Sequence, residues 1–244
     1  EIFSSQNPEI SKAIKNEDGE LAFELMNKEL DKVWKEVYRI LKVGSIACIN
    51  VGDATRSLNG KFKIYTNHAR ILNYCLSLGF HALPSILWIK ETNKPDKFMG
   101  SGMLPVGAYV TLEHEYILIL RKGNKREFKN EKVLRQKSAF FWEERNIWFT
   151  DIWEGLNGVI QKLNNEKIRG RSAAYPFELA YRLINMFSVK GDTVLDPYFG
   201  TGTTMLAAMN SGRNSIGIEI DPFFENIIKD RTERIIEHSN KYIE

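Results

Sequence analysis

The chain has 244 residues, of which 43% are hydrophobic and 27% charged, and its formal net charge is +3. This balance is typical of a globular protein and excludes a fibrous or disordered chain. No apolar run approaches the roughly 18 residues that a membrane-spanning helix needs. The first residues also lack the basic and then apolar pattern of a secretion signal. We therefore expect a cytoplasmic protein with no membrane partner.

The cysteines and histidines argue against disulfide and metal chemistry. Cys48 falls in a predicted strand and Cys75 in a predicted helix, with a spacing that indicates neither a disulfide nor a metal site. The four histidines are His68, His81, His114 and His238. They are scattered without the spacing of metal ligands, so we expect no bound metal.

The first half of the chain alternates helical and extended patterns. The predicted elements are a helix over 21–41, a strand over 45–51, a helix over 65–78, and strands over 83–89 and 114–120. Apolar residues of the first helix recur on one face, at Met26, Leu30, Val33, Trp34, Val37 and Leu41. This half predicts helices packed on a buried sheet.

Residues 122–171 differ in kind from the rest and are interpreted as an insert. Between positions 121 and 137 there are eight Lys or Arg and two Glu. Aromatic residues interrupt the segment without a clear period, at Phe140, Phe141, Trp142, Trp148, Phe149 and Trp153. Such a segment can contact phosphates and bases, but its tryptophans more often anchor an insert to its domain.

Regular alternation returns in the last third. The pattern predicts a helix from Pro176, a strand over 193–196, a helix over 203–211, a strand over 215–220 and a final helix over 222–238. Alternating helices and strands favour a doubly wound, mostly parallel sheet. The length favours one domain over residues 1–244.

A glycine turn between the strand over 193–196 and the following helix is the strongest single signal. The segment from Asp196 reads Asp-Pro-Tyr-Phe-Gly-Thr-Gly-Thr-Thr, and Glu219 ends the next strand. Glycines let a ligand approach the backbone, and an acid in that place can accept hydrogen bonds from ribose hydroxyls. A dinucleotide-binding loop would have a third glycine at the position of Met205, and a phosphate-binding loop would contain Gly-Lys-Ser or Gly-Lys-Thr, which is absent. Both observations argue against these two kinds of site.

These segments resemble the DNA amino-methyltransferases of the permuted beta class, which methylate N4 of cytosine or N6 of adenine. Residues 196–204 are similar to their first cofactor motif, and Ser215 to Asp221 to their ribose-binding strand. Residues 171–179 are similar to the segment before it, which normally reads His-Pro-Ala-x-Phe-Pro. The resemblance implies S-adenosylmethionine as cofactor, S-adenosylhomocysteine as product, and a restriction-modification or phage-related role.

The resemblance also implies an organisation and a set of site residues. The expected fold is a Rossmann-like sheet in circularly permuted order. It would comprise a target-base half over 1–121, a DNA-contacting insert over 122–171 and a cofactor half over 172–244. The implied cofactor residues are Ser172, Asp196, Phe199, Gly200, Thr201, Gly202, Thr203, Glu219 and Asp221. The charge pattern, rather than the resemblance, supplies the candidate contacts to double-stranded DNA. They lie in the loop over 94–107 and in the basic run from position 121: Lys94, Lys97, Arg121, Lys122, Lys125 and Arg126.

One departure from the family pattern concerns the target amine. Such enzymes hold it with a Pro-Pro tetrapeptide, and this chain contains no Pro-Pro. We expect that motif, with at least one strand, to lie before residue 1. Asp53 is then a candidate catalytic residue, although an Asp after Gly52 is as often only a turn residue. The alternative function is a cofactor-binding fragment or subunit without catalysis, completed by an upstream segment, a partner chain or a homodimer.

Overall fold

The computed structural model describes residues 7–90, 104–107, 109–129, 131–156 and 175–240, the last seven of these by backbone alone. The chain divides into two compact units. Unit 1 comprises residues 1–127 and 151–154, and unit 2 comprises residues 128–150 and 155–244. The division falls inside the predicted insert over 122–171. In the described part, no helix is long and apolar enough to cross a membrane.

The helices of unit 1 are α1 (Pro8–Lys15), α2 (Gly19–Ile40) and α3 (Asn67–Ser77). Helices α2 and α3 pack on one face of a sheet, and α1 packs against α2. Helix α2 begins where the Asp18 carboxylate accepts a hydrogen bond from the Leu21 N–H at 3.0 Å, as an N-cap does. The periodicity therefore predicted α2 to within two residues at its start and one at its end.

A four-stranded sheet forms the centre of unit 1. Its strands are β1 (Ile46–Val51), β4 (Phe80–Ile89), β5 (His114–Lys122) and β6 (Ile152–Trp153), in the order β1-β5-β4-β6. Strand β5 is antiparallel to both of its neighbours, whereas β6 is parallel to β4. Strands β1, β4 and β6 thus share one direction and β5 runs against them.

The prediction of a mostly parallel sheet is therefore wrong for unit 1, where the sheet is mixed. Parallel neighbours require a long crossover, usually a helix, and α3 supplies one between β1 and β4. Strand β5 instead enters between these two strands from the opposite direction. Alternation along the sequence gives the direction of β1 and β4 but not the insertion of a reversed strand between them.

Unit 1 also contains a two-stranded hairpin, which was not predicted although the sequence of its turn is typical of hairpins. Strands β2 (Ala54–Leu58) and β3 (Lys61–Tyr65) are antiparallel and are joined by Asn59-Gly60. Both turn residues have positive φ, 49° for Asn59 and 69° for Gly60. Asn-Gly is the dipeptide that such tight hairpin turns favour.

The core of unit 1 lies between the sheet and helices α2 and α3. Its buried residues are Trp34, Ile49, Ile71, Cys75, Phe80, Leu118 and Leu120. Burial raises the pKa of the Cys75 thiol to about 12, with a smaller effect from the negative charge of Asp31. Burial likewise raises the pKa of Cys48 to about 12. Neither thiol is therefore a thiolate, and hence a nucleophile, near neutral pH.

These pKa values predict slow alkylation of both cysteines in the folded protein. At pH 8 a thiol with a pKa near 12 is ionised in about 1 molecule in 10,000. We expect iodoacetamide to leave Cys48 and Cys75 unmodified at pH 8 and to modify both in urea, as measured by mass spectrometry of the intact chain. Rapid labelling of either cysteine without urea would contradict the burial.

Unit 2 contains a two-stranded sheet. Its elements are α4 (Lys132–Lys137), α5 (Trp142–Trp148), α6 (Phe177–Phe187), β7 (Thr193–Asp196), α7 (Thr203–Asn210), β8 (Asn214–Gly217) and α8 (Phe224–Asn240). Strands β7 and β8 are parallel. Ala180, Ile184, Ala207 and Ala208 are buried together between α6 and α7. The strand-turn-helix-strand unit predicted from the sequence is therefore present.

Candidate functional site

The turn between β7 and α7 is built on two glycines with left-handed backbone. Gly200 has φ 52° and Gly202 has φ 80°, conformations that side chains with a Cβ rarely adopt. The Gly202 N–H donates to the Phe199 carbonyl at 2.9 Å, and Gly202 is the N-cap of α7. The turn lies beyond the carboxyl end of β7, where open α/β sheets bind ligands.

The carboxylate of Asp196 organises the base of this turn. Asp196 ends β7, is buried, and accepts the Tyr198 N–H at 2.9 Å and the Thr204 hydroxyl at 2.5 Å. The Tyr175 hydroxyl lies 3.2 Å from the same carboxylate and 2.5 Å from the Thr204 hydroxyl oxygen. Burial, and then the charge of Asp196, raise the pKa of Tyr175, so its hydroxyl keeps its proton.

A second carboxylate, Glu219, faces the turn from the other strand. It follows β8 and accepts the Gly200 N–H at 2.7 Å through one oxygen and the Asp221 N–H at 2.9 Å through the other. The Asp221 carboxylate in turn accepts the Phe223 N–H at 3.0 Å. Glu219 thus contacts the glycine turn, a contact that the sequence did not predict, while Asp221 shapes the chain after β8.

The ring of Phe199 packs against the backbone of Gly217. A Cβ placed on Gly217 would lie 2.1 Å from the Phe199 ring, so only glycine leaves room for that ring at the end of β8. The backbone continues the pairing beyond the strands, because the Phe199 N–H donates to the Ile218 carbonyl at 3.0 Å. Gly217 was not predicted as a site residue, although a glycine inside a strand signals a close approach.

Replacing Gly217 by Ala should displace the Phe199 ring and the turn with it. We expect the unfolding free energy to fall by about 1–3 kcal/mol, the usual cost of overpacking, and S-adenosylmethionine affinity to fall about fivefold. Urea unfolding and calorimetry measure the two effects. The double variant with Phe199→Leu should recover part of both losses. Unchanged affinity and stability in Gly217→Ala would contradict the packing.

The remaining predicted cofactor residues, Thr201, Thr203 and Ser172, differ in burial and in their contacts. Thr201 is buried, and its carbonyl and hydroxyl oxygens accept hydrogen bonds from Arg231 of α8 at 2.9 and 3.1 Å. Thr203 is partly exposed at the first turn of α7. Ser172 lies outside the described residues. The contacts of Tyr175, Thr204 and Arg231 were not predicted. Tyr175 and Arg231 reach Asp196 and Thr201 across 21 and 30 positions, whereas Thr204 lies only eight positions after Asp196.

The arrangement fits a nucleoside cofactor that carries positive charge. Two carboxylates lie on either side of the glycine turn: Asp196 ends β7, and Glu219 lies two residues after the parallel strand β8 and accepts the Gly200 N–H. Among the described residues, a Cβ on Gly200 would meet nothing within 4 Å, so they leave this side of the turn open. Carboxylates are suited to an ammonium group and to ribose hydroxyls, both of which S-adenosylmethionine presents.

The candidate DNA residues that the structure describes lie near the end of β5. The Lys122 ammonium donates to the carbonyls of Tyr38 at 2.6 Å and Arg39 at 3.2 Å, and so closes the C-terminus of α2. Arg121 donates to the Gly123 carbonyl at 3.0 Å. Arg126 is partly buried and Lys125 is exposed. Lys94 and Lys97 lie outside the described residues.

Comparison with known proteins identifies the family. The profile of the N6/N4 DNA methylase family matches residues 4–230. The chain belongs to this family. It is 54% identical to the type II methyltransferase M.MthZI of Methanothermobacter thermautotrophicus, over 99% of this chain and 69% of that protein. It is 49% identical to the type II methyltransferase M.MjaI of Methanocaldococcus jannaschii, over 95% of this chain and 79% of that protein.

A solved structure supports the fold and the cofactor. The putative DNA modification methylase TTHA0409 of Thermus thermophilus, crystallised with S-adenosyl-L-methionine, is 36% identical and superposes with a TM-score of 0.73, covering 87% of this chain and 79% of that one. The predictions of a DNA amino-methyltransferase and of S-adenosylmethionine as its cofactor are confirmed. The comparisons do not favour the alternative of a fragment without catalysis.

Proposed function

We propose that this DNA methyltransferase binds S-adenosylmethionine at the β7–α7 turn and directs its methyl group to the exocyclic amine of a cytosine or adenine in duplex DNA. The observation that carries the assignment is the pair of carboxylates, Asp196 and Glu219, on either side of the Gly200-x-Gly202 turn. Asp196 would hold the ammonium end of the cofactor and Glu219 the ribose. Phe199, Thr203 and Asp221 would shape the walls of the site.

The chemistry needs positioning more than a protein nucleophile. When bound, S-adenosylmethionine supplies a methyl group on a positively charged sulfur, which an amine can attack directly. The chain's own residues then have to orient the cofactor and the amine, since the lone pair of a conjugated amine is a poor nucleophile until it is aligned. Cys48 and Cys75 are protonated thiols, which accords with a route without a covalent bond between enzyme and base.

The segment 128–150 of unit 2 is our candidate for part of the DNA-contacting surface. Trp142 is 69% exposed and Phe141 75% exposed, and the Arg145 guanidinium lies 5.4 Å from the centre of the Trp142 ring. Trp148, by contrast, is buried and anchors the segment. Basic residues of the same segment are Lys129, Lys132, Arg135 and Lys137. Exposed aromatic rings among cations suit unstacked bases and phosphates.

Trp142→Ala should weaken DNA binding without affecting the cofactor. Loss of one base–aromatic contact costs about 1–3 kcal/mol, so we expect duplex DNA affinity to fall about tenfold at 0.1 M salt. S-adenosylmethionine affinity should stay within twofold. Val133→Ala, which trims a 63% exposed apolar residue from the same segment, is the matched control and should change neither. DNA affinity retained in Trp142→Ala would contradict this surface.

The proposal extends to the order of the two halves, the location of the protein and its partners. The strand-turn-helix unit that we assign to the cofactor follows β1, β4 and β5 along the chain, which supports the permuted order with the target-base half first. One methyltransferase domain would contain both units. A DNA substrate favours a cytoplasmic location, and the similarity to type II methyltransferases favours a restriction-modification role. A homodimer is the proposed protein partner. The described residues include no group of three or more His, Cys, Asp or Glu that could hold a metal.

A transfer assay tests the function. The protein is incubated with S-adenosylmethionine labelled in its methyl group and with long duplex DNA made by amplification, which carries no methylation. We expect label in the DNA, and none in a parallel reaction with transfer RNA. Label in RNA alone, or in neither nucleic acid, would overturn the proposal.

A further inference from the structure

Two hydroxyl groups meet one carboxylate oxygen at the base of the glycine turn of unit 2. Oδ2 of Asp196 lies 2.5 Å from the Thr204 hydroxyl oxygen and 3.2 Å from that of Tyr175. The two hydroxyl oxygens are themselves 2.5 Å apart. The other carboxylate oxygen, Oδ1, accepts the Tyr198 N–H at 2.9 Å. Tyr175, Thr204 and Asp196 therefore form a closed triangle of polar contacts around Oδ2.

The protons of this triangle follow from the chemistry of its members. A carboxylate oxygen only accepts, so the Thr204 hydroxyl donates to Oδ2 of Asp196. Burial, and then the charge of Asp196, raise the pKa of Tyr175, so its hydroxyl also has a proton to donate. That proton goes to the Thr204 oxygen or to Oδ2, the acceptors that it contacts in the described part of the chain. Tyr175 is therefore a donor to the pair formed by Asp196 and Thr204.

Hydrogen bonds, rather than packing, fix how the Asp196 carboxylate is turned. The torsion that rotates a carboxylate has broad preferences, so it does not by itself select which oxygen faces the core. Here both hydroxyl oxygens lie against Oδ2, while Oδ1 accepts the Tyr198 N–H. Each carboxylate oxygen can accept about two hydrogen bonds. Among the described residues no second donor contacts Oδ1, so this oxygen can still accept one more.

The Tyr175 ring is anchored where its hydroxyl can set this orientation. The ring packs against the buried residues that α6 and α7 share. Thr204 lies in the first turn of α7, and Asp196 ends β7. The triangle thus ties the segment before α6, the start of α7 and the end of β7 together at one carboxylate.

Attachment of α7 to its neighbours does not depend on the Tyr175 hydroxyl. The Thr204 hydroxyl alone joins α7 to β7. At the opposite end of α7, Arg213 donates to the carbonyls of Ser188 at 2.8 Å and Ser211 at 2.5 Å, which are the C-cap residues of α6 and α7. What the Tyr175 hydroxyl adds is a contact to the carboxylate that we assign to the cofactor's ammonium group.

Asp53, the candidate catalytic residue of unit 1, has a different set of contacts. It stands two residues after β1, accepts the His68 backbone N–H at 3.1 Å and lies 2.7 Å from Nδ1 of the same residue. Thr66, the N-cap residue of α3, makes no side-chain capping bond with a described residue, and Asp53 replaces it. The structure thus places Asp53 at the start of α3, and its catalytic role stays a prediction.

We propose that Tyr175 is a positioning residue of the cofactor site. Its hydroxyl, together with that of Thr204, holds Oδ2 of Asp196 and so leaves Oδ1 to accept a hydrogen bond from the ammonium group of S-adenosylmethionine. This rests on the proposed function, in which Asp196 binds that group. A carboxylate that is already turned toward its ligand binds more tightly, because no binding energy is used to order it. Tyr175 thus acts on the cofactor through Asp196.

Removal of a single oxygen atom tests the proposal. Tyr175→Phe keeps the ring in place but has no hydroxyl. Its affinity for S-adenosylmethionine, measured by calorimetry, should fall about fivefold, the effect of about one neutral hydrogen bond. Its affinity for methylthioadenosine, which keeps the nucleoside but has no ammonium group, should stay within about twofold. Tyr181→Phe is the matched control and should change neither affinity, because the Tyr181 ring packs against the same buried residues and its hydroxyl makes no hydrogen bond with a described residue.

Two further variants show whether Tyr175 acts through Asp196. In the Asp196→Ala background, Tyr175→Phe should cost less than about twofold in S-adenosylmethionine affinity, because the carboxylate that it orients is absent and the two effects are then not additive. Thr204→Val removes the other hydroxyl of the triangle. It should also weaken S-adenosylmethionine more than methylthioadenosine.

The outcomes separate positioning from folding and from the proposed function. Unchanged S-adenosylmethionine affinity in Tyr175→Phe would overturn the inference. Equal losses for both ligands, accompanied by a thermal midpoint well below that of Tyr181→Phe, would also overturn it, because they indicate a structural role. A full fivefold further loss in the Asp196→Ala background would show that Tyr175 does not act through Asp196. If the unsubstituted protein bound no S-adenosylmethionine, the proposed function would fail and this inference with it.

Discussion

Asp196→Ala should reduce S-adenosylmethionine affinity about 100-fold, or about 2.8 kcal/mol, as measured by calorimetry. The carboxylate that we assign to the cofactor's ammonium group is lost, and charge-assisted hydrogen bonds are the strong ones. The hydroxyls of Tyr175 and Thr204 and the Tyr198 N–H lose their acceptor at the same time. Leaving buried donors unpaired costs about 1–3 kcal/mol each, so part of the loss will appear as lower stability.

Two further variants separate the effect of charge on cofactor binding from the effect on folding. Asp196→Asn keeps the shape and one acceptor oxygen, so it should retain more stability than Asp196→Ala but little more affinity. Asp192→Ala is the matched control at the other end of β7, where Asp192 accepts the Val189 N–H at 2.9 Å. It should lose about 1 kcal/mol of stability and no cofactor affinity. If Asp196→Ala bound the cofactor as tightly as Asp192→Ala does, the assignment of Asp196 to the cofactor site would be wrong.

Glu219→Ala should reduce cofactor affinity about 30-fold, or about 2 kcal/mol. Glu219 is assigned to the ribose hydroxyls, and it also holds the turn through the Gly200 N–H at 2.7 Å. Glu219→Gln should lose less, because an amide oxygen still accepts from one partner. Calorimetry is carried out with S-adenosylmethionine and with methylthioadenosine, which keeps the ribose but lacks the amino acid. Comparison of the two affinities shows which part of the cofactor each variant no longer binds. The variant should weaken both ligands alike, whereas Asp196→Ala should weaken only the first strongly.

A nearby surface acid provides the control for Glu219. Glu225 is exposed at the start of α8 and pairs with Lys229 at 2.7 Å. Exposed pairs of this kind contribute little to stability. We expect Glu225→Ala to bind both ligands as the unsubstituted protein does. If Glu219→Ala behaved in the same way, the ribose assignment would be wrong.

The cofactor unit was predictable because its signals are local. The strand over 193–196, the turn at Gly200 and Gly202 and the acid at Glu219 lie within one strand-turn-helix-strand segment, and each has its own sequence signature. The apolar face of α2 is a local signal of the same kind. The Asn59-Gly60 hairpin is equally local but was not predicted, because neither β2 nor β3 contains a buried residue or the apolar run of a buried strand.

The rest depends on contacts between residues distant in sequence. The insertion of β5 between β1 and β4 is fixed by pairing of segments far apart in the chain, which periodicity does not encode. Tyr175 reaches Asp196 across 21 positions, and Arg231 reaches Thr201 across 30. Lys122 was a candidate for DNA contact from the charge of its neighbours, yet its ammonium lies on the carbonyls of α2. Charge density alone does not say where a side chain lies.

Analysis of the product nucleosides tests the central claim most directly. The protein is incubated with S-adenosylmethionine and unmethylated amplified duplex DNA, the DNA is digested to nucleosides, and these are identified by mass spectrometry against standards. We predict N4-methyldeoxycytidine or N6-methyldeoxyadenosine in the reaction with the unsubstituted protein. At a cofactor concentration near the Kd of the unsubstituted protein, Asp196→Ala should form far less of the same product. The appearance of 5-methyldeoxycytidine, or of no methylated nucleoside, would contradict the account.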